Sequence, residues 1–396
     1  MVVFMDFDLP PTNDSRRLAV QQWLAEHPQP TAAQLVDAGY VVPHWPEPWG
    51  LNADPLHQII IDDELVKARV HRPANQIGIG WAGPTLLAAG TEEQKDRYLR
   101  PLLAGQEIWC QMFSEPEAGS DLANVATRAV RDGDEYVING SKIWTSAGHL
   151  SQFGILIART NLDVPKREGI SYFICPTDLP GLTMTPIVDA TGSHLFNQVF
   201  FDDVRLPVSL RVGVEGEGWR LAKVTLANER VRLSSAGSLW GNGPSAEDLL
   251  DAVRDSGGCS DPIMRQELAA LKCEAEVLRL NRLRTLTAQL AGRTPGPEAS
   301  VQKAMADDHG QKVMALAKAC AGTDGMLVGS GPAGGSFDWH FGFLFSPALT
   351  IGGGTFAIQR NIVAEKVLGL PRDHNVEDGL SWRETHLGKA GRNAIR

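Results

Sequence analysis

The residues best suited to chemistry lie in two short stretches, QMFSEPEAGSDLA from Gln111 to Ala123 and SKIWTS from Ser141 to Ser146. Together they offer hydroxyls, an amide, small residues and one indole, and neither is patterned for core packing alone. Glycine and alanine let a backbone approach a ligand closely, Pro116 fixes the path, and loops of this kind carry function. The set suits the face of a large planar ligand. Metal ligation lacks its residues: the five cysteines (Cys110, Cys175, Cys259, Cys273 and Cys320) are odd in number, widely spaced and free of any C-x-x-C pair. A disulfide framework would need denser spacing, so reduced thiols and a cytoplasmic location are expected.

Composition narrows the class. The chain has 396 residues, enough for two or three domains, with 43% hydrophobic and 21% charged residues, as in ordinary globular proteins. A net charge of −10 argues against a nucleic-acid partner, which calls for a basic stripe. No apolar run approaches the ~20 residues that span a bilayer. The start, MVVFMDFDLPP, has neither a basic segment nor a cleavage site, so no signal peptide is expected.

The elements that must position the two stretches change period along the chain. HQIIIDDELVKARV (His57 to Val70) is spaced as a helix, and TEEQKDRYLRPLLAG predicts a second, with Thr91 as N-cap, Glu92 and Glu93 in its first turn and a stop at Gly105. Between the start and these helices, Pro43, Pro46 and Pro48 forbid regular structure. Asp132-Gly133 and Asn139-Gly140 bracket EYVI as two turn dipeptides and predict hairpins. FGILIART, GISYFIC, LTMTPI and NQVFFDDV continue as short strands without helices between them, which predicts an antiparallel barrel or sandwich. From Gly218 long amphipathic runs return, broken by GSGPAGGSFDW, and predict a four-helix bundle. The expected organisation is therefore α+β and multi-domain: a helical domain over 1–107, a β-domain over 108–213, a helical bundle over 214–372 and a polar, loosely held tail over 373–396.

Helices, a small β-domain and a bundle, with SEPEAGSDLA at the first junction, resemble the acyl-CoA dehydrogenase family. GTEEQKDRYLRPLLAG, QMFSEPEAGSDLA, NGSKIWTSAG, FDDVRLP, VGVEGEGW and GGTFAIQRNIVAEKVLGLPR follow the family's order and spacing from Gly90 to Arg372. The resemblance implies FAD bound between the β-domain and the bundle, and oxidation of the Cα–Cβ bond of an acyl-CoA thioester. It implies that Gln111, Phe113 and Ser114 line the isoalloxazine and that Gly119 and Ser120 flank the flavin and the CoA pantetheine. Trp144 would stack on the flavin, with Thr145 and Ser146 at its N5 edge. Thr355 and Gln359 would contact the cofactor from the last helix.

Many relatives place the catalytic glutamate in a Tyr-Glu-Gly-Thr segment, where this chain has Gly352-Gly353-Gly354-Thr355. A second branch, including isovaleryl-CoA and long-chain dehydrogenases, carries the base on an earlier helix. The matching residues here are Glu229 and Arg230 of LANERVRL. Glu229 lies three residues after Leu226 and four before Leu233, on an apolar face. The resemblance thus implies Glu229 as base and the Gly353 N–H as a donor to the thioester carbonyl, with Gly352, Gly354 and Arg230 beside the substrate. Arg230 is equally open to a structural ion pair.

The family's Arg-x-x-Phe-Gly segment is missing. Arg265 is the candidate for the pyrophosphate, or an ordinary helix-surface arginine. Gly322-Thr323-Asp324-Gly325 replaces the Gly-Gly-Asn-Gly stretch at the subunit contact. These departures resemble branches acting on lipid or sterol side chains, some built from unlike chains. A homodimer, a tetramer or a heteromer all stay open, with an electron-transferring flavoprotein as the implied electron acceptor. Two other readings also stay open: a partner subunit completing another chain's FAD site, and a flavin oxidase on the same fold.

Overall fold

The computed structural model describes residues 10–233, 243–290, 296–327 and 338–385. The chain divides into two compact units. One contains residues 8–189, 193–228 and 373–396, and the other 190–192 and 229–372.

The first unit begins with helices α1 (Ser15–Glu26), α2 (Ala32–Asp37), α3 (Pro55–Lys67), α4 (Gly83–Ala89) and α5 (Glu92–Leu103). Local chemistry explains α5 well. The Thr91 hydroxyl accepts the Gln94 N–H and the Gln94 side chain accepts the Thr91 N–H, a reciprocal cap that satisfies two helix-end donors. The chain leaves α5 through Gly105 at φ +67°, as the sequence predicts. The proline-rich segment before α3 forms turns.

Eight strands follow: β1 (Trp109–Met112), β2 (Arg128–Asp132), β3 (Glu135–Ser146), β4 (Phe153–Arg159), β5 (Ile170–Pro176), β6 (Leu182–Ile187), β7 (Phe196–Pro207) and β8 (Arg211–Val212). They form one sheet in the order β6-β7-β3-β2-β4-β5-β8, with β1 also beside β4. Most neighbours are antiparallel, but β1 and β2 each meet β4 in parallel. Tyr136, Ile138, Leu156, Phe173, Val199 and Leu206 form the sheet's core.

Asp132-Gly133 turns β2 into β3, with Asp132 facing Glu135 and Gly133 at φ +61°. Asn139-Gly140 does not turn. It is a bulge within a continuous β3, where the register against β7 shifts between Ile138 and Gly140. Gly140 is at φ +143°, and a Cβ there would sit 2.7 Å from the Thr127 Cα. Backbone approach therefore demands glycine at this position as strongly as a turn would.

The tail also departs from expectation. The described residues from Asp373 onward belong to the sheet-bearing unit, with Ser381 bridging Pro165 and Trp382 buried.

The first unit closes with the start of α6 (Gly218–Leu233). The second unit holds α7 (Ala246–Asp255), α8 (Pro262–Leu290), α9 (Ala299–Cys320), α10 (Trp339–Phe345) and α11 (Phe356–Ile362). Its core gathers Leu249, Leu271, Val313, Met314, Trp339 and Leu349. Among the described residues no helix is long and apolar enough to cross a membrane.

Candidate functional site

In the sheet-bearing unit the two chemistry-bearing stretches come together. β1 carries Gln111 to the sheet, opposite Ile155 of β4, and leaves its side-chain Nε2 buried without a hydrogen-bond partner. Phe113 is buried and meets Tyr172 edge-on, centroids 5.9 Å apart. The Ser114 carbonyl accepts the Ile143 N–H at 2.9 Å, which joins the loop to β3.

The register of β3 against β7 shifts again between Lys142 and Thr145. Within this shift Trp144 takes φ +61°, a strained value for a bulky residue. Its indole is 56% exposed and rests edge-on against Phe196, with centroids 5.8 Å apart. Thr145, next along, is wholly buried, and its hydroxyl has no hydrogen-bond partner. Ser146 is half-buried and paired with Phe196 across the ladder. Gly119 and Ser120 are exposed, and a Cβ on Gly119 would meet nothing within 4 Å.

An exposed ring in a strained bulge beside an orphaned buried hydroxyl and an orphaned amide donor is an incomplete surface. A flat heteroaromatic ligand with hydrogen-bonding edges complements it.

Four residues that the sequence reading did not single out hold this surface. Lys142, fully buried, donates to Glu115 Oε1 at 2.7 Å and to the Phe113 carbonyl at 3.0 Å. Glu115 also accepts the Ala126 and Thr127 N–H groups. Burial opposes charge on the Glu115 carboxyl, but Lys142 and these donors outweigh it and hold its pKa below the usual range. Asn197 Nδ2 donates to the Thr145 carbonyl at 3.0 Å, and Arg159 donates to the Ala123 and Val125 carbonyls. For Glu115 and Lys142 the only signal in the sequence was the charge in SEPEAG and SKIW, which local periodicity does not pair.

In the helical unit the glycine turn and α11 form one construction. Gly353 and Gly354 have φ of +69° and +90°. Gln359, fully buried, reaches back with Nε2 to the Gly353 and Gly354 carbonyls at 2.9 and 3.1 Å. Its Oε1 is buried with no partner. Thr355 caps α11 by accepting the Ile358 N–H, and Gly352 donates its N–H to the Ala348 carbonyl.

Arg265 stands apart, exposed in the first turn of α8. Glu229 and Arg230 belong to the continuous helix α6, and their side chains lie outside the described residues. Among the described residues no cluster of three metal-binding side chains occurs.

Comparison with known proteins gives the family. Models of the acyl-CoA dehydrogenase N-terminal, middle and C-terminal domains match residues 15–106, 110–204 and 216–368. The chain is 39% identical to the acyl-CoA dehydrogenase IpdE1 of Mycobacterium tuberculosis, covering 86% of this chain and 87% of the relative. It is 40% identical to FadE34 of the same organism, over 85% of this chain, and spans 46% of that relative's length. The solved structure of the Tcur3481-Tcur3483 steroid ACAD superposes with a TM-score of 0.77 at 30% identity, covering 93% of this chain and all (100%) of that one. The ChsE4-ChsE5 complex of Mycobacterium tuberculosis superposes at 0.73 and 30%, with 93% and 100% coverage. The chain belongs to the acyl-CoA dehydrogenase family of FAD-dependent oxidoreductases.

Proposed function

We propose that this chain removes the α-proton and β-hydride of an acyl-CoA thioester to give the trans-2-enoyl-CoA, with Glu229 as the base. The observation that carries the reading is the wall made by exposed Trp144 beside the unpartnered Thr145 hydroxyl. FAD, when bound, accepts the hydride. Gln111, Phe113 and Ser114 would line its ring, Trp144 would cover one face, and Thr145 and Ser146 would offer polar groups to an edge. Thr355 and Gln359 would also contact the cofactor, and Gln359 Oε1 is buried without a partner as an available acceptor.

The protein's own work is acid–base and electrostatic. A carboxylate at position 229 on α6 takes the α-proton, and withdrawal from water makes such a base stronger once ionised. The Gly353 N–H donates to the thioester carbonyl as enolate-like charge develops there. By holding the Gly353 and Gly354 carbonyls, Gln359 sets the orientation of the peptide groups in that turn before substrate arrives. Glycine at 353 in place of a glutamate also leaves room beside the acyl chain. Together with the steroid ACAD among its structural relatives, this supports a bulky, sterol-like CoA thioester as the substrate class.

Anaerobic titration with straight, branched and steroid-sized acyl-CoAs tests the reading. The flavin of the native protein bleaches with its preferred thioester. Glu229→Gln stays yellow and bleaches slower by roughly 10²–10⁴-fold, the usual worth of a general base. Unimpaired bleaching in Glu229→Gln refutes the assignment. Relatives solved as two-chain complexes favour a second reading, in which this chain completes another chain's site. A colourless purified chain that takes up FAD only with a partner would establish it.

A further inference from the structure

Arg159, the last residue of β4, is 1% exposed and spends its donors on carbonyl oxygens. Nε reaches Val125 at 2.9 Å, Nη2 reaches Ala123 at 2.7 Å and Nη1 reaches Lys166 at 3.0 Å. Two of these acceptors, Ala123 and Val125, lie at and just past the end of the SEPEAGSDLA loop, so a buried cation staples that loop to the sheet. Burial lowers the Arg159 pKa to about 10, with Glu115 and Asp121 opposing the shift. Such a cation needs every contact it can make.

The remaining contact comes from the far end of the chain. The ring of Trp382 lies 4.7 Å from the guanidinium carbon, and Trp382 is 8% exposed. Main-chain bonds seat it there. Trp382 N–H donates to Val164 at 2.9 Å and Arg383 N–H to Leu162 at 3.0 Å. The Arg383 guanidinium holds Asp163 at 2.7 Å, and Thr385 ties back to the Trp382 carbonyl.

Lys166 repeats the design. Its ammonium is shared between Asp121 of the loop at 2.9 Å and Glu377 of the tail at 2.8 Å. Loop and tail therefore meet through the same two basic residues, Arg159 and Lys166.

We propose that residues 377–385 are a strap, with Trp382 and Glu377 as positioning residues that fix the Ser120–Val125 segment and so its hold on the CoA thioester. The strap itself follows from the contacts above; its effect on substrate rests on the function proposed for that loop. The strap acts on substrate affinity and leaves the chemical step to Glu229 and Gly353. A 1 Å displacement of a positioning group is enough for a large loss. Asn124 and Val125 donate their N–H groups to Asp121 and Leu122, so loosening the loop is readable as faster exchange of these amides.

Hydrogen exchange over residues 122–127, together with steady-state kinetics, tests this on the full-length holoenzyme. Trp382→Ala is expected to speed exchange there, and to raise KM for the acyl-CoA on the order of tenfold, with kcat and flavin content unchanged. Trp382→Phe, which keeps a ring over Arg159, restores both. Glu377→Gln keeps Trp382 seated and produces a smaller change in the same direction; it decides the matter if Trp382→Ala does not fold. Unchanged exchange over 122–127 in Glu377→Gln and in any folded Trp382→Ala, with only a lower melting temperature, overturns the strap. If no acyl-CoA reduces the native enzyme, the proposed function fails, and the exchange measurement still decides the strap.

Discussion

Lys142→Met tests the buried ion pair that joins the two halves of the wall proposed to face the flavin. Methionine fills nearly the same volume, so the loss is chiefly electrostatic. Glu115, itself buried, would keep the Ala126 and Thr127 amides but lose its cation and the 2.7 Å bond. The Phe113 carbonyl would lose its Lys142 donor. Removing one partner of a buried pair costs about 3–5 kcal/mol, and the surviving amides favour the low end, about 3 kcal/mol. At roughly 2–4 °C per kcal/mol for a cooperative unit of this size, the melting temperature should fall by about 6–12 °C. Because the Phe113 carbonyl loses this tie to β3, leaving the main-chain bond between Ile143 and Ser114 to hold the loop alone, flavin should be released earlier in the same melt. Removing both charges in Glu115→Gln/Lys142→Met should cost clearly less than the sum of the single substitutions.

The pH dependence has a definite sign. A carboxyl whose folded pKa is depressed contributes stability that is present above its unfolded value, near 4.5 for glutamate, and lost as pH falls through the folded value. Native protein should hold its flavin down to the ordinary glutamate range and release it below, and Lys142→Met should release it at a higher pH. Thermal melts with flavin fluorescence, run from neutral pH downward, report both effects. A Lys142→Met melt within about 2 °C of native, or an additive double substitution, would refute the coupling of wall and pair.

Three further outcomes are expected. Trp144→Gly relieves a left-handed bulky residue, worth about 1 kcal/mol, and forfeits a ring contact of similar size; the apoprotein should therefore melt nearly as before, while flavin affinity falls about tenfold or more, and unchanged affinity would remove Trp144 from the wall. Gly354→Ala places a Cβ 2.7 Å from Gln359 Nε2 at φ +90°, so turnover should drop while the protein still folds, as kinetics and circular dichroism together will report. Burial pushes the Cys110 thiol up to about 12 and raises Cys175 as well, so a thiol reagent at pH 8 should label exposed Cys273 and reach these two only after unfolding.

What was legible in the sequence was what neighbouring residues decide. Thr91 and Gln94 are three apart and cap α5 reciprocally, and Asp132-Gly133 sits between alternating strands, so both could be read directly. Asn139-Gly140 has the same local chemistry as a turn. It became a bulge because Thr127, just before β2, crowds position 140, a fact no window around the dipeptide contains. The parallel meeting of β1 with β4 likewise depends on a partner far along the chain. At the proposed site, the motifs named residues such as Gln111 and Trp144 but not the ones that hold them in place. Glu115 and Lys142 are 27 residues apart, and each alone reads as a solvated charge.

The tail shows the limit most sharply, because its polarity argued for a loose end. Polar composition predicts exposure only when the charges lack partners. Here Glu377 finds Lys166, Arg383 finds Asp163 and Trp382 covers Arg159. A single tryptophan among charges is therefore better read as an anchor in search of a cation than as an exception in a disordered tail. That reading makes the Trp382→Phe variant the informative one: if a ring over Arg159 is what holds the strap, phenylalanine suffices, and if only bulk is needed, leucine would serve equally well.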